Sequence, residues 1–111
     1  MGAEEPAAGG IAQGLIPAGE IARMVGEEYG VRAEELMKAR SPHREARRVL
    51  IEMSYLLNVS YRPLEKLADE LGGIGGAAVT NNHIRIQKQM LKNRRLAKRL
   101  KKISNELVSM L

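Results

Sequence analysis

The sequence predicts an all-α fold, a compact bundle of about five or six helices, and three observations predict it. Apolar residues recur at three- and four-residue spacing through most of the chain, which is the signature of amphipathic helices. No segment alternates with the period of two that a half-buried strand needs. The residues available for a core are Leu, Ile, Val, Met and Ala, with three tyrosines and neither Phe nor Trp, the usual filling of a helical bundle. At 111 residues and 44% apolar content, the chain has room for one small domain around one core.

Each element has its own signal. Residues 1–15 are Gly, Ala and Glu without periodicity and read as a flexible leader or linker, so the folded domain is expected over 16–111. Pro17 suits the first turn of a helix whose apolar stripe is Ile21, Met24, Val25 and Tyr29, and Gly30 is a natural stop. A shorter helix runs through "AEELMKA", with Leu36 and Met37 as its apolar contacts. Ser41-Pro42 is a start signal, an N-cap hydroxyl followed by proline at the first helical position. Ala46, Val49, Leu50, Met53, Leu56 and Leu57 then mark a central core helix ending near Asn58, with a polar side that begins at Arg44, Arg47 and Arg48.

Pro63 opens a helix of about two turns, striped by Leu64, Leu67, Ala68 and Leu71, before Gly72-Gly73. Val79, Ile86 and Met90 continue at helical spacing. Leu96, Leu100, Ile103, Leu107 and Met110 or Leu111 form a further stripe in a different phase, and Asn93 stands at the break, placed to cap the last helix.

Several function classes lack support. The chain has no cysteine, so a disulfide framework or thiolate zinc site is impossible, and two isolated histidines, His43 and His83, cannot build a metal site alone. The longest apolar runs are far short of a membrane span. The opening "MGAEEPAAGG" is acidic where a secretory signal is basic and then apolar, so a cytoplasmic location is expected. Tyr29, Tyr55 and Tyr61 read as packing residues. Glu34-Glu35 and Asp69-Glu70 are adjacent in helices and point apart, which does not suit paired acid–base work. No enzyme, cofactor or small-molecule substrate is therefore expected.

The charge is informative because it is uneven. Residues 1–71 carry 9 Lys/Arg against 12 Asp/Glu, whereas residues 72–111 carry 9 Lys/Arg against Glu106 alone. Such polarity suits a face meant for a polyanion; the alternative is a solvated helix face.

The basic half begins in "ELGGIGGAAVTNNHIRIQKQMLKNRRLAKRLKK". A phosphate-binding P-loop needs a lysine that is missing here, and a dinucleotide fingerprint needs a preceding strand where this chain has an amphipathic helix. A short helix (64–71), a glycine turn and a second helix from about Ala77 instead predict a helix-turn-helix. Ala77, Ala78, Thr80, Asn81 and Asn82 would then meet base edges. Asn pairs with adenine, and alanine or a Thr methyl packs on the thymine methyl. Arg85 and Lys88 would meet phosphates, with Lys92, Arg94 and Arg95 farther out, and Lys66 on the first helix joins the DNA-binding candidates. The function expected is binding of double-stranded DNA. The alternative is a protein-interaction module built on the last amphipathic basic helix, with little DNA affinity.

From Ile16 onward the chain resembles the C-terminal DNA-binding domain of the bacterial replication initiator DnaA, whose fold is related to that of the Trp repressor. The runs "IPAGEIARMVGEEYGVRAEELM", "KARSPHREARRVLIEMSYLLN" and "PLEKLADELGG" carry the resemblance. The family signature reads G-G-R-D-H-T-T-V, whereas this chain has "GGIGGAAV". Gly72, Gly73 and Val79 match, and Ile74, Gly75, Gly76, Ala77 and Ala78 stand where the polar base readers would be. The resemblance thus implies a retained fold with altered recognition. It also implies a minor-groove arginine from the basic loop, for which Arg40 and then Arg44 are the candidates here. A degenerate signature of this kind is similar to the C-terminal module of bacterial REP-associated transposases of the Y1 type. That similarity implies a targeting module whose catalytic domain lies elsewhere in a parent protein.

Overall fold

The computed structural model describes residues 16–38, 40–58 and 63–110. Among these residues there are six helices and no strand: α1 (Ala18–Tyr29), α2 (Ala33–Met37), α3 (Arg44–Asn58), α4 (Leu64–Glu70), α5 (Gly76–Lys92) and α6 (Arg94–Val108). The all-α bundle expected from apolar spacing is what forms. The expected leader (1–15), Tyr61 and Leu111 lie outside the described residues.

Helix α3 is the hub, packed against α1, α2, α4 and α5, while α6 closes the bundle across α1 and α5. The stripes point inward as their spacing requires: Ile21 and Val25, Val49 and Leu50, Val79 and Ile86, and Leu100, Ile103 and Leu107 are buried in one cluster. Each such side chain stabilises the fold by about 1.5–3 kcal/mol relative to exposure. Leu56 departs from the expected stripe of α3, being 48% exposed, because none of the six described helices covers it at the mouth of a groove between α3, α5 and α6.

The helix ends follow from local chemistry. Gly30 takes the left-handed conformation (φ 69°) that ends α1, its N–H bonded to the Gly26 carbonyl. Asn93 accepts the Leu96 N–H on Oδ1 at 3.0 Å and so caps α6, a contribution of about 1 kcal/mol. The start of α3 differs from expectation. Ser41 Oγ does accept a backbone N–H, from His43 at 3.2 Å, but the helix begins at Arg44, with the His43 carbonyl taking the Arg47 N–H. The hydroxyl closes a turn ahead of the helix, and Pro42 lies in that turn.

Two polar clusters fasten the hub. Asn58, almost fully buried, exchanges two hydrogen bonds with the Ile16 backbone, at 2.8 and 3.1 Å, and so anchors the chain leading into α1. On another side, the Tyr29 hydroxyl donates to Glu45 Oε2 at 2.6 Å, and Arg99 lies over the Tyr29 ring at 4.4 Å. Arg99 and Lys102 also meet Glu28, at 3.5 and 3.0 Å. Two basic residues of α6 are thereby engaged within the fold.

Burial, and then the bond to Glu45, hold the Tyr29 hydroxyl well above the usual tyrosine range, against the opposing pull of Arg99. Its folded pKa exceeds its unfolded value of about 10, so its contribution is complete below that pH and is lost as pH rises towards the folded value. Urea unfolding at successive alkaline pH values should show stability falling above about pH 10, and Tyr29→Phe should make that fall shallower.

Candidate functional site

The turn between α4 and α5 is shaped by glycine. The Gly73 N–H bonds the Ala68 carbonyl at 3.0 Å and the Gly72 N–H bonds that of Asp69 at 3.3 Å, the paired bonds of a Schellman C-cap. Gly72 and Gly73 have φ of 94° and 72°, and Gly75, just before α5, has 85°. A side chain would be strained in these left-handed conformations. The glycines therefore turn the chain between two helices that pack on each other.

Beside this turn lies an open concavity of about 580 Å³. The loop before α3 supplies Arg40, the N-terminal half of α3 supplies Arg44, Arg47 and Arg48, and α5 supplies Ala78 and Asn82. Among the described residues no carboxylate lines it. Arg40, Arg44 and Arg48, with the buried Arg47 behind them, make a concentrated positive potential around one hollow, and the N-terminal end of the 17-residue α5 adds the positive end of its dipole. The arrangement can hold an anion or a polyanion.

Arg47 differs from its neighbours. Placed on the polar side of α3 by the sequence, it is only 6% exposed. Its Nη1 donates to the Leu36 carbonyl at 2.6 Å and its Nη2 to that of Leu71. Both carbonyls belong to helix C-terminal ends, which have no donor of their own. Burial pushes the Arg47 guanidinium below the usual arginine range. The reason for its position is thus a polar one met inside the fold.

Of the DNA-binding candidates, Arg40, Arg44, Ala78 and Asn82 meet at the concavity. Ala77, Asn81, Arg85 and Lys88 are exposed and, at three- and four-residue spacing, form one ridge along α5. Thr80 is half-buried, and its hydroxyl donates back to the Gly76 carbonyl at 3.4 Å. Asn82 donates from Nδ2 to the Arg48 carbonyl at 3.0 Å, which pins α5 to α3. Lys66 is exposed on α4 and does not line the concavity. Arg47 and Arg48 were not among the candidates, although the three- and four-residue spacing from Arg44 was a signal that could have found them.

Farther along the same helix pair, the carboxylate of Glu52, 1% exposed, meets His83 Nδ1 at 2.8 Å and accepts from Gln87 Nε2 at 3.1 Å. The Tyr55 and His83 rings pack with centroids 4.9 Å apart. His83 is therefore a packing and bonding residue of the α3–α5 seam, and His43 is exposed. Among the described residues no group of three or more His, Asp or Glu is placed to hold a metal ion, and no helix is long and apolar enough to cross a membrane. No family model, curated protein or solved structure matches this chain.

Proposed function

We propose that this chain binds double-stranded DNA, with α4, the glycine turn and α5 acting as a helix-turn-helix and the arginine-lined concavity holding phosphates. One observation carries the reading: Arg40, Arg44 and Arg48 converge, without a carboxylate among the described residues, on the end of α5 whose exposed ridge would enter the groove. The basic balance of residues 72–111 supports it. In line with the resemblance to the DnaA C-terminal domain, the chain would serve as the targeting module of a transposase-like protein.

The hydrogen bonds of α5 narrow how such a module would read sequence. The Thr80 hydroxyl and the Asn82 Nδ2 already have partners within the fold, whereas Asn81 is exposed on the ridge beside the methyl groups of Ala77 and Ala78. Base reading then rests on the Asn81 amide and on apolar contact with thymine methyls, and phosphate contacts supply most of the affinity.

Fluorescence anisotropy of a labelled random duplex library at two salt concentrations, followed by sequencing of the bound fraction, tests this. Steeply salt-dependent binding is expected. Asn81→Ala should change the enriched sequences, while Arg85→Ala should weaken binding to all of them alike. Absence of binding at low salt would remove the DNA reading.

A further inference from the structure

We infer that α3, α5 and α6 form a docking groove for an acidic amphipathic helix of a partner protein, a site separate from the arginine concavity and independent of the DNA reading. The groove encloses about 420 Å³. Its apolar lining is Met53 and Leu56 of α3, Met90 of α5, and Ala97 and Leu100 of α6. Among the described residues its one carboxylate, Glu52, is engaged by His83 and Gln87. Leu56 is 48% exposed at its mouth, and the same helices carry further exposed apolar side chains, Leu91 on α5 (87% exposed) and Val108 on α6 (50% exposed). Isolated exposed leucines need no explanation, but an apolar groove with an exposed leucine at its mouth is the kind of surface that takes a partner.

The shape fits a helix. Along α6 the small residues Ala97 and Ser104 leave the channel open, and the row from Ala97 through Lys101 and Ser104 to Val108 runs at three- and four-residue spacing. At 1.5 Å per residue that row is about 16 Å long, roughly three helical turns, which accommodates apolar anchors at i, i+3 or i+4, and i+7, a span of about 10.5 Å.

Charge selects the partner. Lys101 lines the groove, and Arg94 and Lys98 stand one turn away from it or less on the same helix. None of the three has an ion pair among the described residues, unlike Arg99 and Lys102, which face α1. A second copy of the chain would set these cations against their own counterparts. A helix with acidic flanks would neutralise them, and a Met- and Leu-lined channel is the surface for an apolar stripe rather than for phosphates.

The test uses the full chain and a display library of random 16-residue peptides. Peptides with apolar residues at helical spacing and Asp or Glu beside them should be enriched. Binding of the best one should fall at least tenfold on Leu56→Lys and on Lys101→Glu, with the thermal melt of Leu56→Lys unchanged. Should Leu56→Lys fail to fold, Ser104→Arg blocks the channel from a half-buried position and should have the same effect. No enrichment, enrichment of basic peptides, or peptides indifferent to these substitutions would overturn the inference. So would a concentration-dependent dimer in sedimentation that Leu56→Lys abolishes, which would assign the groove to a second copy. Loss of the DNA reading alone would leave these outcomes unaltered.

Discussion

Replacing Arg40, Arg44 and Arg48 together with alanine should lower affinity for a mixed-sequence duplex by two to three orders of magnitude at about 0.1 M salt. Each cation that neutralises a phosphate contributes about 0.9 to the slope of log affinity against log salt, which is worth roughly eightfold at that concentration. Three contacts compound to several hundredfold, and the slope should become shallower by about 2.7. The fold should be almost indifferent. Arg40 and Arg44 are exposed and Arg48 is half-buried, and the Asn82 bond uses the carbonyl of residue 48, which alanine keeps. Surface changes of this kind stay within about 0.5 kcal/mol. Anisotropy titrations over a salt series with matched urea unfolding measure both quantities. A triple variant with unchanged slope would show that the concavity does not touch the duplex, and Arg85→Ala would then decide whether the α5 ridge binds alone.

The helices were legible because each must bury a stripe, and a stripe leaves a spacing in the sequence. Leu96, Leu100, Ile103 and Leu107 are all buried, Gly30 ends α1, and Asn93 caps α6 as its position suggested. The glycine run was legible as a turn for the same local reason, since bonds from residues 72 and 73 reach back only to residues 68 and 69. What the sequence did not show depends on distant partners. Asn82 is tied to a carbonyl 34 positions away, and Glu52 is kept inside by His83, 31 positions on. The concavity exists only because the loop before α3 and the start of α5, far apart in sequence, meet beside the glycine turn. Leu56 fits the helical period of its neighbours and still reaches solvent, because exposure depends on what covers a stripe as well as on its phase.

Arg47 is the clearest case of a role set by tertiary structure, and it carries the largest expected effect on stability. Its guanidinium serves the carbonyls of Leu36, 11 residues back, and Leu71, 24 residues ahead, so one side chain of α3 holds the C-terminal ends of α2 and α4. Arg47→Met keeps much of the aliphatic stem but leaves both carbonyls without a donor in a site that is nearly closed to water. Each buried acceptor left unmet costs about 1–3 kcal/mol, partly offset by no longer burying a charge, for a net loss of about 2–4 kcal/mol. Against a total stability of about 5–15 kcal/mol this is a large fraction. Lysine at this position keeps the charge but lacks the planar fork needed to serve two carbonyls at once, so Arg47→Lys should fall between the parent and Arg47→Met. Urea unfolding of the three proteins gives the order directly. A methionine variant within about 0.5 kcal/mol of the parent would mean that water replaces the guanidinium at both carbonyls and that α4 is held by its apolar contacts alone. If the loss is as large as expected, the residue that fixes the glycine turn beside the concavity is one whose charge never has to reach a ligand.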